Sequence, residues 1–198
     1  QYAFLNAMSG SQSEFAKAEV ELERSITASE FTSATGMSRA LAYNRLSKGS
    51  FDQARAFAKK AQQLALQTKN QALAAQTDLD ASVVLFHSGK VRESKALYKA
   101  IRNNIFDFCT PEHIASYLII DCENLVDSGK LEVALDALDF SRRTYSAYGK
   151  TRMEAWILMS EAYLNAHIGD FQVAKDKLEA CLDLSIATGG QAAIAMAN

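Results

Sequence analysis

Apolar and small residues recur along this chain at a fixed interval. Gly49, Gly89, Gly129 and Gly169 stand 40 residues apart, and Gly10 lies 39 before the first of them. Two residues after each of these four come Phe51, Val91, Leu131 and Phe171, and five after come the small residues Ala54, Ser94, Ala134 and Ala174. Nine after come Ala58, Tyr98, Leu138 and Leu178, and twelve after come Ala61, Ile101, Ser141 and Cys181. Offsets of 2, 5, 9 and 12 trace one face of a helix, and the repetition marks an array of like units.

Gly149 and Gly189 fall 20 residues after a repeat glycine, where a helix of four to five turns needs a left-handed cap, so each unit divides into two helices. The spacing predicts first helices over 34–48, 71–87, 111–127 and 151–168, and second helices over 51–68, 91–108, 131–148 and 171–188. A small residue five after the glycine permits two antiparallel backbones to cross closely. Pro111 behind Thr110 opens a first helix, with threonine as the expected cap and proline where no amide bond is needed. Residues 13–29, with Phe15, Ala18 and Leu22, read as the second helix of an earlier unit whose first helix survives in part over 1–9. Ser11 and Glu14 can form a capping box between them. Ala192 to Ala197 read as the start of another first helix, and the chain opens on Gln1, so a piece of a larger protein is expected.

The segment Ile168-Gly169-Asp170-Phe171 with Ala174, Leu178 and Cys181, following Trp156 and Ala162-Tyr163-Leu164, resembles the tetratricopeptide repeat. The shared pattern covers residues 34–188. The family's usual period is about 34, its proline at the end of the second helix is missing here, and Trp156 lies farther from Gly169 than its pattern has it. The 40-residue form is similar to repeats of bacterial regulators of the maltose-activator type and of kinesin light chains. The resemblance implies an all-α, right-handed superhelix of stacked antiparallel two-helix repeats. It would run as one domain over 1–198: a partial repeat over 1–30, repeats over 34–70, 71–109, 110–149 and 150–189, and a further start over 190–198.

It also implies that first helices line the concave side, which makes their exposed residues the binding candidates. Six residues before each glycine stand Tyr43, Val83, Glu123 and Tyr163, and two before stand Ser47, His87, Asp127 and His167. A shift of register by one position would instead put Tyr43, Val83 and Tyr163 in the core. The first helices from 71 onward carry eight carboxylates, Asp78, Asp80, Glu112, Asp121, Glu123, Asp127, Glu154 and Glu161, against the single cation Arg152. The helix over 34–48 carries Arg39, Arg45 and Lys48 and no acid. A partner with a basic segment would be steered to the acidic end. Ordinary solvated faces are the plainer account of the same charges.

Composition narrows the field. With 198 residues, 48% hydrophobic, 22% charged and one proline, the chain suits a packed helical domain. A formal net charge of −2 supplies no overall field for a phosphate backbone, so no nucleic acid is expected as partner. No apolar run approaches the roughly 20 residues that span a bilayer, so no membrane is expected either. Cys109, Cys122 and Cys181 form no CxxC pair and read as buried free thiols, which with the absence of a visible targeting segment suggests a cytoplasmic protein.

Candidate chemistry is sparse. His87 and His167 stand two units apart, roughly 20 Å in a helical stack, too far for one metal ion. Gly89-Lys90 and Gly129-Lys130 lack the rest of a phosphate loop and fall at repeat turns. Cys109 and His113 flank Pro111 without a third orienting group, and His113 reads as solvent-facing near the cap. No catalytic residue, cofactor or metal is therefore expected. The leading expectation is a protein- or peptide-binding scaffold, the sensing or docking module of a larger bacterial regulatory protein. The alternatives are a small-ligand sensor with Tyr43, Trp156 and Tyr163 lining a closed cavity, and a module that self-associates through its repeat ends.

Overall fold

The structure is a computed structural model and describes residues 12–147 and 152–188. Among these run nine α-helices and no strand: α1 (Gln12–Thr27), α2 (Phe31–Ser47), α3 (Phe51–Gln67), α4 (Gln71–His87), α5 (Val91–Phe108), α6 (Pro111–Asp127), α7 (Leu131–Ala147), α8 (Arg152–Ile168) and α9 (Phe171–Thr188). The expected helix within 1–9, Gly10, Ser11 of the capping box, the caps at Gly149 and Gly189, and the helix start at Ala192 to Ala197 lie outside the described residues. The helix expected from 34 begins earlier, at Phe31. Thr32, Ser33, Thr35 and Gly36 weaken the pattern there, yet the Thr35 hydroxyl bonds back to the Phe31 carbonyl at 2.7 Å, inside the helix.

The repeat glycines stop the first helices. Gly49, Gly89, Gly129 and Gly169 have φ of 71°, 77°, 71° and 91°, the left-handed region that side chains disfavour. Each belongs to a Schellman turn. At the second, the Gly89 amide bonds to the Phe86 carbonyl at 3.0 Å and the Lys90 amide to the Leu85 carbonyl at 2.9 Å. Ser29 and Lys69 take the left-handed role at the halfway turns, with φ of 60° and 56°. The next halfway position departs from this. Cys109 is extended at φ −98° and ψ 160°, and so is Thr110 at φ −71° and ψ 159°, where the ring of Pro111 disfavours the helical region for the residue before it. Thr110 makes no side-chain cap bond to the backbone; its hydroxyl lies 2.7 Å from Nδ1 of His113, a half-buried residue whose contact with Thr110 is exposed.

The chain divides at this turn into two compact units, one ending at Cys109 and one beginning at Thr110. In the first unit α2 pairs with α3 and α4 with α5, α1 packs on α2, α3 packs on α4, and the first helices α2 and α4 touch. In the second unit α6 pairs with α7 and α8 with α9, α7 packs on α8, and α6 touches α8. The small-residue column is buried throughout: Ala54, Ser94, Ala134 and Ala174. Ala54 and Ala58 of α3 pack with Ala42 of α2 and with Ala81 and Val84 of α4, so one second helix is covered by the first helices on both sides. Cys122 and Val126 of α6, Ala134 and Leu138 of α7 and Leu164 of α8 repeat the arrangement in the second unit.

At the offset of 2 only Leu131 packs, partly buried, against that core. Phe51, Val91 and Phe171, like Leu131 the first residues of their helices, are exposed. Cys122 and Cys181 are buried free thiols, whereas Cys109 is only half-buried.

Candidate functional site

In the first unit the predicted positions are drawn inward. The Tyr43 hydroxyl on α2 donates to Asp80 Oδ1 on α4 at 2.8 Å, and Arg39 pairs with the other oxygen of the same carboxylate. Arg39 also donates to Gln76 Oε1 at 3.3 Å. Burial, followed by the Asp80 charge, lifts the Tyr43 phenol well above its ordinary pKa. Tyr43 is thus a strut between first helices, close to the core reading left open above. Val83 is half-buried, and the side chain of Ser47 lies outside the described residues. His87 is half-buried, its ring edge-on to Phe86 at 5.4 Å, and desolvation lowers its pKa.

In the second unit four predicted residues come together at the surface. Glu123 and Asp127 lie one turn apart on α6, and Tyr163 and His167 one turn apart on the adjoining α8. Tyr163 donates to Asp127 Oδ1 at 2.6 Å, and its ring stands 6.4 Å from that of His167. The bond to Asp127, aided by partial burial and the charges of Asp127 and Glu123, pushes the Tyr163 phenol up to about 12. Asp127 and His167 are exposed and Tyr163 is 39% exposed. The result is a surface with two carboxylates beside a polarised aromatic ring, suited to a cation: carboxylate oxygens for its N–H groups, a ring face for its charge.

Part of the acidic count along the first helices is answered within the chain. Asp80 pairs with Arg39, and Asp78 accepts from Gln62 Nε2 at 2.6 Å. Arg142 of α7 reaches Glu154 at 2.9 Å and Glu161 at 2.7 Å, and Lys177 of α9 approaches Glu161 at 2.8 Å. Burial alone would raise the Glu161 carboxyl, but the hydrogen bonds and charge of Arg142 and Lys177 together hold it below its ordinary value. These counter-ions sit on second helices or, for Arg39, 41 residues upstream, which is why counting along one helix overlooks them. The 41-residue separation, one repeat plus one, was the available signal for the Arg39–Asp80 pair.

A cleft of about 350 Å³ opens between α3 and α4, with Lys59, Leu66, Thr77 and Asp78 on its walls. Tyr43, Trp156 and Tyr163 do not line it. Trp156 instead packs half-buried against the Ala115, Ile119, Tyr145 and Ile157 cluster. Among the described residues no group of three or more His, Cys, Asp or Glu is placed to hold a metal ion, and no helix is long and apolar enough to cross a membrane.

These features define an all-α protein built of packed helical hairpins in tandem. No family model matches the chain, and no curated protein sequence matches it.

Proposed function

We propose that the chain is a protein- or peptide-binding scaffold of the tetratricopeptide kind, the docking or sensing module of a larger regulatory protein, and that its second unit receives a basic side chain of the partner. The observation that carries this reading is the meeting of Glu123, Asp127, Tyr163 and His167 across α6 and α8. The other acids of α8, Glu154 and Glu161, are spent on Arg142 and Lys177. Asp127 and Tyr163 keep solvent-accessible surface, so an incoming lysine or arginine can reach both.

The test is a positional-scanning peptide library read by binding to the purified chain, in parallel with a Glu123→Lys/Asp127→Lys variant of unchanged circular dichroism. Enrichment of lysine or arginine at one position, lost in the variant and weakened by salt, is the expected result. A library profile without basic enrichment, or one that the double variant leaves intact, overturns the reading.

A further inference from the structure

The groove between a second helix and the first helix that follows it is occupied differently in the two units. In the second unit Arg142 of α7 and Glu154 of α8 meet across it at 2.9 Å. Eighty residues earlier the same two positions hold Gln62 of α3 and Ala74 of α4. Glutamine is shorter than arginine and alanine ends at its methyl, so the space of that ion pair is vacated, and the cleft of about 350 Å³ opens at these residues. Its size falls near the lower end of the roughly 300–1,000 Å³ of small-molecule sites. Gln62 donates to Asp78 Oδ1 at 2.6 Å, which holds the carboxylate beside Gln62. At about 1.5 Å of rise per residue, Lys59 stands about 4.5 Å from Gln62 toward the start of α3, and Leu66 about 6 Å toward its end. Along the cleft the order is therefore cation, carboxylate, apolar surface, within about 10 Å. Among the described residues Lys59 has no ion-pair partner and Asp78 meets no cation. Leu66 is 69% exposed.

From this order of groups we infer that the α3–α4 cleft binds a free α-amino acid with an aliphatic side chain, its carboxylate on Lys59, its ammonium on Asp78 and its side chain along Leu66 and Ala74. The charges decide the class. Lys59 and Asp78 line one cleft without meeting each other, and a zwitterion with its two charges on one carbon answers both at once. The interior of a peptide carries neither charge and each of its ends carries only one, so a polypeptide leaves one of the two groups unanswered. Leu66 and Ala74 then favour an apolar side chain over a polar one, since apolar area leaves water on binding. The cleft lies in the first unit, on α3 and α4, and is independent of the acidic patch on α6 and α8.

The probe is L-leucine, titrated into the purified chain and followed by the backbone amide shifts of α3 and α4 in heteronuclear NMR. Saturable shifts around Gln62 and Asp78 are expected, with a Kd on the order of 1 mM. Leucinamide lacks the carboxylate and N-acetyl-leucine lacks the ammonium, so each should bind weaker by on the order of tenfold. Asp78→Asn should weaken leucine by a similar factor and leave N-acetyl-leucine unmoved. A Gln62→Arg/Ala74→Glu variant of unchanged circular dichroism rebuilds the ion pair of Arg142 and Glu154 in the first unit and should abolish the shifts. Shifts that do not saturate, that both analogues reproduce equally, or that persist when the ion pair is rebuilt overturn the proposal. Loss of basic-peptide binding in Glu123→Lys/Asp127→Lys leaves the leucine titration unchanged, which separates the two sites.

Discussion

The Tyr163 hydroxyl on α8 lies 2.6 Å from Asp127 Oδ1 on α6 and joins two helices that are neighbours in space but separated in the chain by the whole of α7. The hydrogen bond that the phenol donates to Asp127 is the main reason its pKa reaches about 12, with partial burial and the repulsion a second negative charge would meet there adding to it. Asp127→Asn removes the charge and weakens the bond. Spectrophotometric titration of the phenols should show one tyrosine moving from about 12 toward the ordinary 10.0 in that variant. An unchanged titration curve would refute the pairing.

Glu161 joins α7, α8 and α9 through Arg142 and Lys177. Its carboxyl is held below 4.5, so the native state binds fewer protons there than the unfolded chain does. The resulting stability is present above pH 4.5 and disappears as pH falls through the lower native value. Arg142→Met should therefore cost about 1–2 kcal/mol at pH 7, discounted for the partly solvated arginine head. The difference from wild type in urea unfolding should shrink in acid, and a pH-independent difference would argue for lost packing alone.

His87 behaves in the opposite sense with respect to charge. Its burial lowers the native pKa beneath 6.5, so the folded state favours the neutral ring. Stability from this site is whole above pH 6.5 and is lost as pH falls through the native pKa, because the unfolded chain takes up the proton first. His87→Gln should flatten the decline in thermal midpoint between neutral and mildly acid pH, relative to wild type. A parallel decline in both proteins would contradict the assignment.

Backbone conformation offers an independent test at the turns. Lys69 holds φ at 56°, where a residue with a side chain is strained by about 1 kcal/mol or more. Lys69→Gly should raise the unfolding free energy by about 1 kcal/mol, and Gly89→Ala, at φ 77°, should lower it by a similar amount. No atom lies within 4 Å of a Cβ built at Gly89, so the cost there is conformational and not steric. Chemical denaturation of both variants checks the pair of signs.

Ser141 and Cys181 show how far the repeat reaches into detail. The Ser141 hydroxyl shares its one proton between the carbonyls of Ala137, at 2.8 Å, and Ala115, at 3.1 Å, while the Cys181 thiol points to the equivalent Ala155 carbonyl at 3.2 Å. Ser141→Cys should consequently be tolerated, with a loss under about 1 kcal/mol, whereas Ser141→Leu overpacks the contact and should cost about 1–3 kcal/mol. Equal losses in the two variants would show that the site is indifferent to size.

Helix positions were legible because periodicity and turn chemistry are local properties. Gly49, Gly89, Gly129 and Gly169 end their helices in any fold that keeps them helical, since only glycine takes positive φ without strain. The buried small column from Ala54 to Ala174 was readable for the same reason, as it repeats at one spacing on one face. The left-handed turns at Ser29 and Lys69 were not, because neither residue type advertises that conformation.

What tertiary structure alone decided is which polar residues meet. By itself the chain specified nine described helices in hairpins, their glycine caps and the columns from which a site could be drawn. It could not show that Tyr43 turns toward Asp80 while Tyr163, in the same column, stays open beside Asp127, nor that Arg142 and Lys177 neutralise Glu161. Charge pairing and exposure depend on side chains brought together from residues 16 to 41 positions apart, whereas helix periodicity and capping act within a few turns.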